Sequence, residues 1–254
     1  MRPIHFAAGA AAVLGVGLAA AAVVGVVIAL GAPAATPPGS ESAPPEAAVV
    51  APAPAPAPGQ GETGDGEGIS VLADPGWIAT TAEAAGIPPR ALAAYAGAAL
   101  RVSHTDPSCG LGWNTLAAIG HVETEHGTIG GGRIDDDGVA RPRIVGIALD
   151  GTRSARISDT DGGALDGDPE WDRAVGPMQF IPSTWESAGR DGDGDGRADI
   201  DQIDDAALSA AEYLCRSGRL ATTAGWIAAV HAYNADADYN RRVAEAAAFY
   251  AGTG

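Results

Sequence analysis

The run APAPAPAPG at Ala51–Gly59 limits where this chain can fold. It lies within a longer stretch, about Ala32 to Gly68, dominated by Pro, Ala, Gly and Glu. Such a composition cannot bury enough apolar surface to offset the entropy of ordering. Proline-rich chain extends by about 3.1 Å per residue, so this stretch reads as a spacer on the order of 100 Å long. No single core runs through it, and only residues 69–254 are long enough to build an ordinary domain.

The segment before the spacer bears on location. From Phe6 to Gly31 there is no charged residue, and Arg2 is the flanking charge. Roughly 20 apolar residues span a bilayer as a helix, whereas a cleavable signal has an apolar region of roughly 7–15. The expectation is therefore an uncleaved membrane anchor over residues 1–31 with Arg2 inside. The alternative is a long signal peptide cut near Ala32–Ala35. In both cases the domain is exported, either held at the membrane facing outward or secreted.

Charge and composition exclude several classes. All 15 basic residues are arginine, which rules out a Walker-A loop, a Schiff-base enzyme and a lysine base. A net charge of -17 makes nucleic acid an implausible partner, because phosphate binding depends on Lys and Arg releasing counterions. Two cysteines, Cys109 and Cys215, are too few for a disulfide-built miniprotein or a four-cysteine zinc site. In an exported chain they read as one disulfide, with a pair of buried free thiols as the alternative.

Residues 69–254 read as mainly α. One helix opens at Pro88–Pro89 and carries Leu92, Tyr95 and Leu100. A second covers Leu111–His126. Ser183-Thr184-Trp185-Glu186 has the form of a capping box, and Asp204 or Asp205 is placed to cap a helix running to Arg216 and stopping at Gly218. Thr222–Tyr233 and Tyr239–Tyr250 follow, the last with Tyr239, Val243, Ala246 and Tyr250 on one face. Between Gly127 and Val175 a Gly/Asp-rich stretch has no sustained period, which suggests a functional loop or a small β element, with a strand within Pro142–Leu149. Trp171, Trp185 and Trp226 read as core packing, and His231 as structural.

Two groups of residues carry chemistry. The HVETEH end of the second helix resembles a zinc-protease motif, but His121 and His126 are five apart, about 140° around a helix, and cannot grip one metal. The carboxylates there separate by face. Glu123 follows Leu116, Ile119 and Gly120 on the apolar stripe, while Glu125 points away toward solvent. Burial disfavours the charged form of Glu123 and raises its pKa, as a general acid working near neutral pH requires. The alternative is a glutamate at the core rim paired with an arginine. The second group, Asp191 to Gln202, has acidic residues at loop positions 1, 3, 5 and 9 and glycine at 6, the EF-hand calcium pattern. Its expected ligands are Asp191, Asp193, Asp195, the Arg197 carbonyl and Gln202. Gln202 replaces the usual bidentate Glu, so a weakly bound structural Ca2+ is expected, with Asp204 or Asp205 as substitutes.

Taken in order, WNTLAAIGHVETEHGTIGG, IVGIALDGT, DTDGGALDGDPEWDRAVGPMQFIPSTW, DGDGDGRADIDQIDDAALSAAEYLC and HAYNADADYNRRV make residues 69–254 resemble the secreted lytic murein transglycosylases of actinobacteria, related to the membrane-bound lytic transglycosylase B type. The resemblance implies a lysozyme-like fold, cleavage of the MurNAc–GlcNAc bond of peptidoglycan glycan strands, and action as a monomer. The family's E-[ST]-x-x-G motif falls on Glu123, Thr124 and Gly127. Its GPMQFxPS motif falls on Gly176–Ser183, where Gln179 is implied to line the cleft, and its aromatic–Asn motif on Tyr233 and Asn234. Read alone, Gln179 is a turn residue, Tyr233 a core residue and Asn234 a helix C-cap in left-handed geometry. Thr124, Gln179, Tyr233 and Asn234 are thus the implied substrate-binding set, with Glu123 as the catalytic residue. A hydrolytic muramidase, with Asp172 or a carboxylate of Asp159–Asp168 as its second group, is one competing reading. A catalytically silent, calcium-stabilised wall-binding module is the other.

Overall fold

The structure is a computed structural model that describes residues 55–59 and 68–253. The anchor-or-signal segment and most of the spacer lie outside the described residues. Among the described residues no helix is long and apolar enough to cross a membrane.

The domain is mainly helical. Its helices are α1 (Pro75–Ala85), α2 (Pro89–Thr105), α3 (Trp113–Thr124), α4 (Pro182–Ala188), α5 (Ile203–Cys215), α6 (Thr223–Tyr233) and α7 (Ala237–Ala251). Local chemistry explains most of their ends. Asp74, Thr222 and Asp236 accept the backbone N–H groups of Trp77, Gly225 and Tyr239 and so cap α1, α6 and α7. Prolines occupy the first turns of α1, α2 and α4, where the missing N–H costs nothing.

Two capping expectations are corrected. Pro182 takes the first helical position of α4, so Ser183 lies inside the helix and the cap position, Ile181, makes no side-chain bond. Gln202, not Asp204 or Asp205, caps α5. Its Oε1 accepts the N–H groups of both aspartates, which sit in the first turn.

Helix α3 is the centre. From Trp113 to Gly120 every residue is buried, as expected of a helix enclosed on all sides. It packs most extensively on α7 and also on α2 and α5, while α2 packs on α5. Small side chains make this density possible: Ala91, Ala94, Ala96, Ala98 and Ala99 of α2, and Ala206, Ala207, Ala210 and Ala211 of α5, are all buried.

The Gly/Asp-rich stretch contains two small antiparallel pairs. Strand β1 (Arg133–Ile134) pairs with β2 (Ala140–Arg141), and β3 (Val145–Ala148) with β4 (Arg173–Val175). The connection from β3 to β4 combines isolated backbone bridges, Asp150 with Arg156 and Ser158 with Trp171, with aspartate acceptors. Asp159 accepts the N–H groups of Asp161, Gly162 and Gly163, and Asp161 those of Ala164 and Leu165. Asp166 accepts from Arg173 N at 2.6 Å.

The described part of the spacer is not free chain. Gly59 donates to the Leu72 carbonyl at 2.7 Å and Asp74 to the Ala57 carbonyl at 2.8 Å, so residues 57–59 lie antiparallel to the segment that enters α1.

Cys109, ahead of α3, and Cys215, at the end of α5, form a disulfide, and none of the described cysteines is free. It closes a loop across 106 positions and so constrains the unfolded chain strongly. Replacing both cysteines by serine is expected to lower unfolding free energy by about 2–4 kcal/mol, measured by urea denaturation.

Candidate active site

Helix α3 stops earlier than its periodicity suggests. It ends at Thr124, and Glu125, His126 and Gly127 follow with φ of 53°, 62° and 80°. Two non-glycine residues in the left-handed region cost about 1–2 kcal/mol each, so the surroundings must hold them there. They do. The Glu125 N–H bonds to the Gly120 and His121 carbonyls. The His126 ring is buried, with Nε2 3.0 Å from the Tyr250 hydroxyl and Nδ1 3.4 Å from that of Tyr95. Burial lowers the His126 pKa to about 3, which keeps it neutral in this pocket. Gly127 is required twice over, by its positive φ and because a Cβ would stand 2.4 Å from Ile134 Cδ1.

This reversal leaves Glu123 in the last turn of α3. The Tyr239 hydroxyl donates to Glu123 Oε1 at 2.7 Å. Burial raises the Glu123 pKa to about 7, opposed by the Tyr239 hydrogen bond and the charge of Arg242. Among the described residues no arginine forms an ion pair with it, so the rim-glutamate alternative is not what the fold builds. Glu125 is exposed, as its face predicts.

The second wall is the turn Gly176–Gln179. Val175 and Phe180 exchange backbone hydrogen bonds at 2.8 and 3.1 Å and close it. Gly176 has φ 78°, and a Cβ there would stand 1.9 Å from the Ile200 carbonyl oxygen. Gln179 adopts φ 52°, its Nε2 donates to the Gly176 carbonyl, and Gly146 of β3 lies against its amide oxygen. The turn is held from both sides. The Thr124 hydroxyl donates to the Pro177 carbonyl at 2.7 Å, and the Tyr233 hydroxyl donates to the Met178 carbonyl at 2.8 Å.

Between these parts lies a cleft of about 620 Å³, lined by Gln179, Tyr233, Asn234, Tyr239 and Arg242 among others, with Leu149 and Ile157 on the side of the β element. Gln179, Tyr233 and Asn234 are therefore brought together, and Tyr239 links Glu123 to them. Thr124 is corrected from substrate contact to support. It is buried, and its hydroxyl is used by the Pro177 carbonyl and the Gly127 N–H. Asn234 is exposed and extended (φ −150°), not left-handed. Tyr239 had been assigned to the core by its helical period. The cap at Asp236 was its available signal, since it places Tyr239 in the first turn of α7, next to Tyr233 and Asn234.

The calcium-like loop divides. Asp191 and Asp193 converge with Asp205, their oxygens all within 4.8 Å. Asp195 instead accepts Arg197 N and its guanidinium. Gln202 is corrected as a loop ligand, because its amide caps α5 and donates to the Asp137 carbonyl. None of the three converging carboxylates is ion-paired with an arginine among the described residues, and burial raises the Asp205 pKa to about 6. Three hard oxygen donors without a counter-charge suit Ca2+. Asp159, Asp161 and Asp172 also converge, but Asp172 is fully buried and bound by the Thr160 N–H and hydroxyl.

With this geometry in place, the comparisons become specific. Residues 159–249 match the family model of the transglycosylase SLT domain. The match takes in the Gly176–Gln179 turn, Tyr233, Asn234 and Tyr239, covers less than half of the chain, and leaves α3 with Glu123 outside it. It supports a lytic transglycosylase family acting on peptidoglycan. No curated protein and no solved structure matches the chain.

A raised glutamate pKa makes a signed prediction. Unfolded Glu123 ionises near pH 4.5 and folded Glu123 near 7. Its contribution to stability is complete below 4.5 and is lost as pH rises through 7. Glu123→Gln is therefore expected to stabilise the protein by about 1–3 kcal/mol at pH 8 and by nothing measurable at pH 4.5, checked by denaturant melts at both values.

Proposed function

We propose that the chain is a peptidoglycan lytic transglycosylase with Glu123 as its single acid/base, of a kind resembling the B type. The observation that carries this reading is a lone carboxyl held protonated near neutral pH by burial and oriented by Tyr239, beside the cleft formed by the matched segment. Glu123 first protonates the glycosidic oxygen between MurNAc and GlcNAc, and the C1–O bond breaks. As carboxylate it then accepts the proton of the C6 hydroxyl of the same MurNAc, whose oxygen bonds to C1 and leaves a 1,6-anhydro end. An intramolecular nucleophile has a high effective molarity, so no second carboxylate has to hold a water.

The engagement of the candidate second carboxylates favours this over hydrolysis. Asp172 is buried and bound to Thr160, and Asp168 pairs with Arg173 at 2.8 Å. Asp159, Asp161 and Asp166 accept loop N–H groups. Asp236, which lines the cleft, caps α7. Each has a structural task. Gln179, Tyr233 and Asn234 present amide and aromatic groups suited to sugar hydroxyls and faces.

Ca2+ belongs to this reading as a structural ion. Asp191, Asp193 and Asp205 would hold it, supplying charge compensation where the entry to α5 meets the loop. The disulfide fits an oxidising compartment. The proposed location is thus outside the cytoplasm, facing the wall, with residues 1–31 as membrane anchor or removed signal, and the working form a monomer.

Two experiments test the reading. Mass spectrometry of purified peptidoglycan digested with the wild type is expected to show anhydro-muropeptides, and Glu123→Gln to lower their release by at least about 10³-fold. Reducing-end products would instead establish a hydrolase. Added Ca2+ is expected to raise the Tm of the wild type and not that of Asp205→Asn, measured by calorimetry with and without chelator.

A further inference from the structure

The domain is rich in aspartate, and half of its described arginines pair with a carboxylate at hydrogen-bonding distance. Arg90 meets Asp204 at 2.6 Å, Arg173 meets Asp168 at 2.8 Å and Arg190 meets Glu212 at 2.6 Å. Arg242 is placed differently. Its one carboxylate contact is Asp238, at 3.7 Å from Nε, and Asp238 already accepts from Arg241 at 2.5 Å. Arg242 lines the cleft instead. It stands three residues beyond Tyr239 on α7, hence on the same face, and the Tyr239 hydroxyl is bonded to Glu123.

The charged and titratable groups facing Glu123 are few. Tyr239 and Arg242 come from α7 and Tyr233 from α6, while His121, two residues before Glu123 on α3, turns to the His126 and Tyr250 side. Burial holds both tyrosines well above their ordinary pKa, so they stay neutral. Burial also lowers the His121 pKa, leaving it uncharged near pH 7. Arg242 is the permanent cation of this set.

We propose that Arg242 is a positioning residue of the acid/base cycle, one that acts through Glu123 without touching the reacting sugar. Between the two proton transfers Glu123 is a carboxylate in a desolvated site, the costly state of the cycle. The Arg242 charge, on the α7 face that carries Tyr239, lowers its energy, while the absence of direct contact leaves Glu123 able to hold its proton beforehand. A bidentate arginine would pin the carboxylate as an ion pair and remove the acid. The inference rests on Glu123 being the acid/base of the proposed reaction.

The test uses the full chain as wild type, Arg242→Gln and Arg242→Lys. The Glu123 midpoint is read by carboxyl ¹³C NMR, assigned with Glu123→Gln, and kcat and KM for anhydro-muropeptide release are read across pH. In Arg242→Gln the midpoint and the basic limb of kcat are expected to rise together by about half to one unit. In the same variant kcat near pH 7 is expected to fall about three- to tenfold with little change in KM. Arg242→Lys restores both, and added salt narrows the difference. An unmoved midpoint overturns the proposal, and a rise in KM alone reassigns Arg242 to substrate binding. If the wild type releases no anhydro products, the transglycosylase reading fails, while the NMR midpoint still decides whether Arg242 acts on Glu123.

Discussion

The site depends on a pair of hydrogen bonds to two consecutive carbonyls. Thr124 holds Pro177 and Tyr233 holds Met178, so the turn that carries Gln179 is fixed between the end of α3 and the end of α6. Three segments distant in sequence are thereby set at one spacing. The left-handed residues after Thr124 belong to the same device, because they bring the Gly127 N–H back onto the Thr124 hydroxyl that holds the turn. Buried donors and acceptors that satisfy one another specify a single arrangement more strongly than apolar contact does. The motif Glu123-Thr124-x-x-Gly127 thus has a mechanical meaning: Glu123 presents the carboxyl, Thr124 the clamp, and Gly127 the room to turn back.

What the sequence made legible follows from range. The helices that pack by period were readable, and so were the face on which Glu123 lies and the exposure of Glu125. The helix limits were less so. Ser183 and Asp204 look like caps by local pattern, but Pro182 opens α4 behind an Ile181 that bonds nothing with its side chain, and Gln202 caps α5. Tyr239 and Arg242 were hidden for another reason. Tyr239 has the periodicity of a core face and Arg242 that of an exposed one, and nothing within one helix reveals that they flank a carboxyl on another. Thr124 shows the reverse case, a residue correctly singled out for its position whose hydroxyl turns inward.

The acidity of the chain has a structural explanation. In the Gly/Asp-rich stretch regular ladders are short, and backbone N–H groups need acceptors. Aspartate supplies them at close range: Asp150, Asp159, Asp161, Asp166 and Asp168 each accept N–H groups a few residues away, and Asp191, Asp193, Asp195 and Asp199 repeat the pattern further on. Glycine at the turns and aspartate at the acceptors together replace a sheet. The net charge of -17 therefore says more about how this wall of the cleft is built than about what enters it.

Two populations of carboxyl groups follow, and their opposition sets the range in which the protein works. Side-chain and backbone donors hold Asp150 and Asp168 below the ordinary carboxylate range. Burial moves Glu123 the other way, to about 7. Between those limits the frame is charged and the acid is still protonated. At lower pH the frame loses the ionised acceptors that replace its ladders, and His126, neutral in its buried pocket, comes under pressure to protonate. At higher pH the frame stands but the proton is gone. Desolvation alone would place Glu123 higher still, where it would hold its proton too firmly to give it up. Tyr239 and Arg242 both lower it, one by a direct hydrogen bond and one by its charge, and the balance of burial against these two groups sets where Glu123 exchanges its proton.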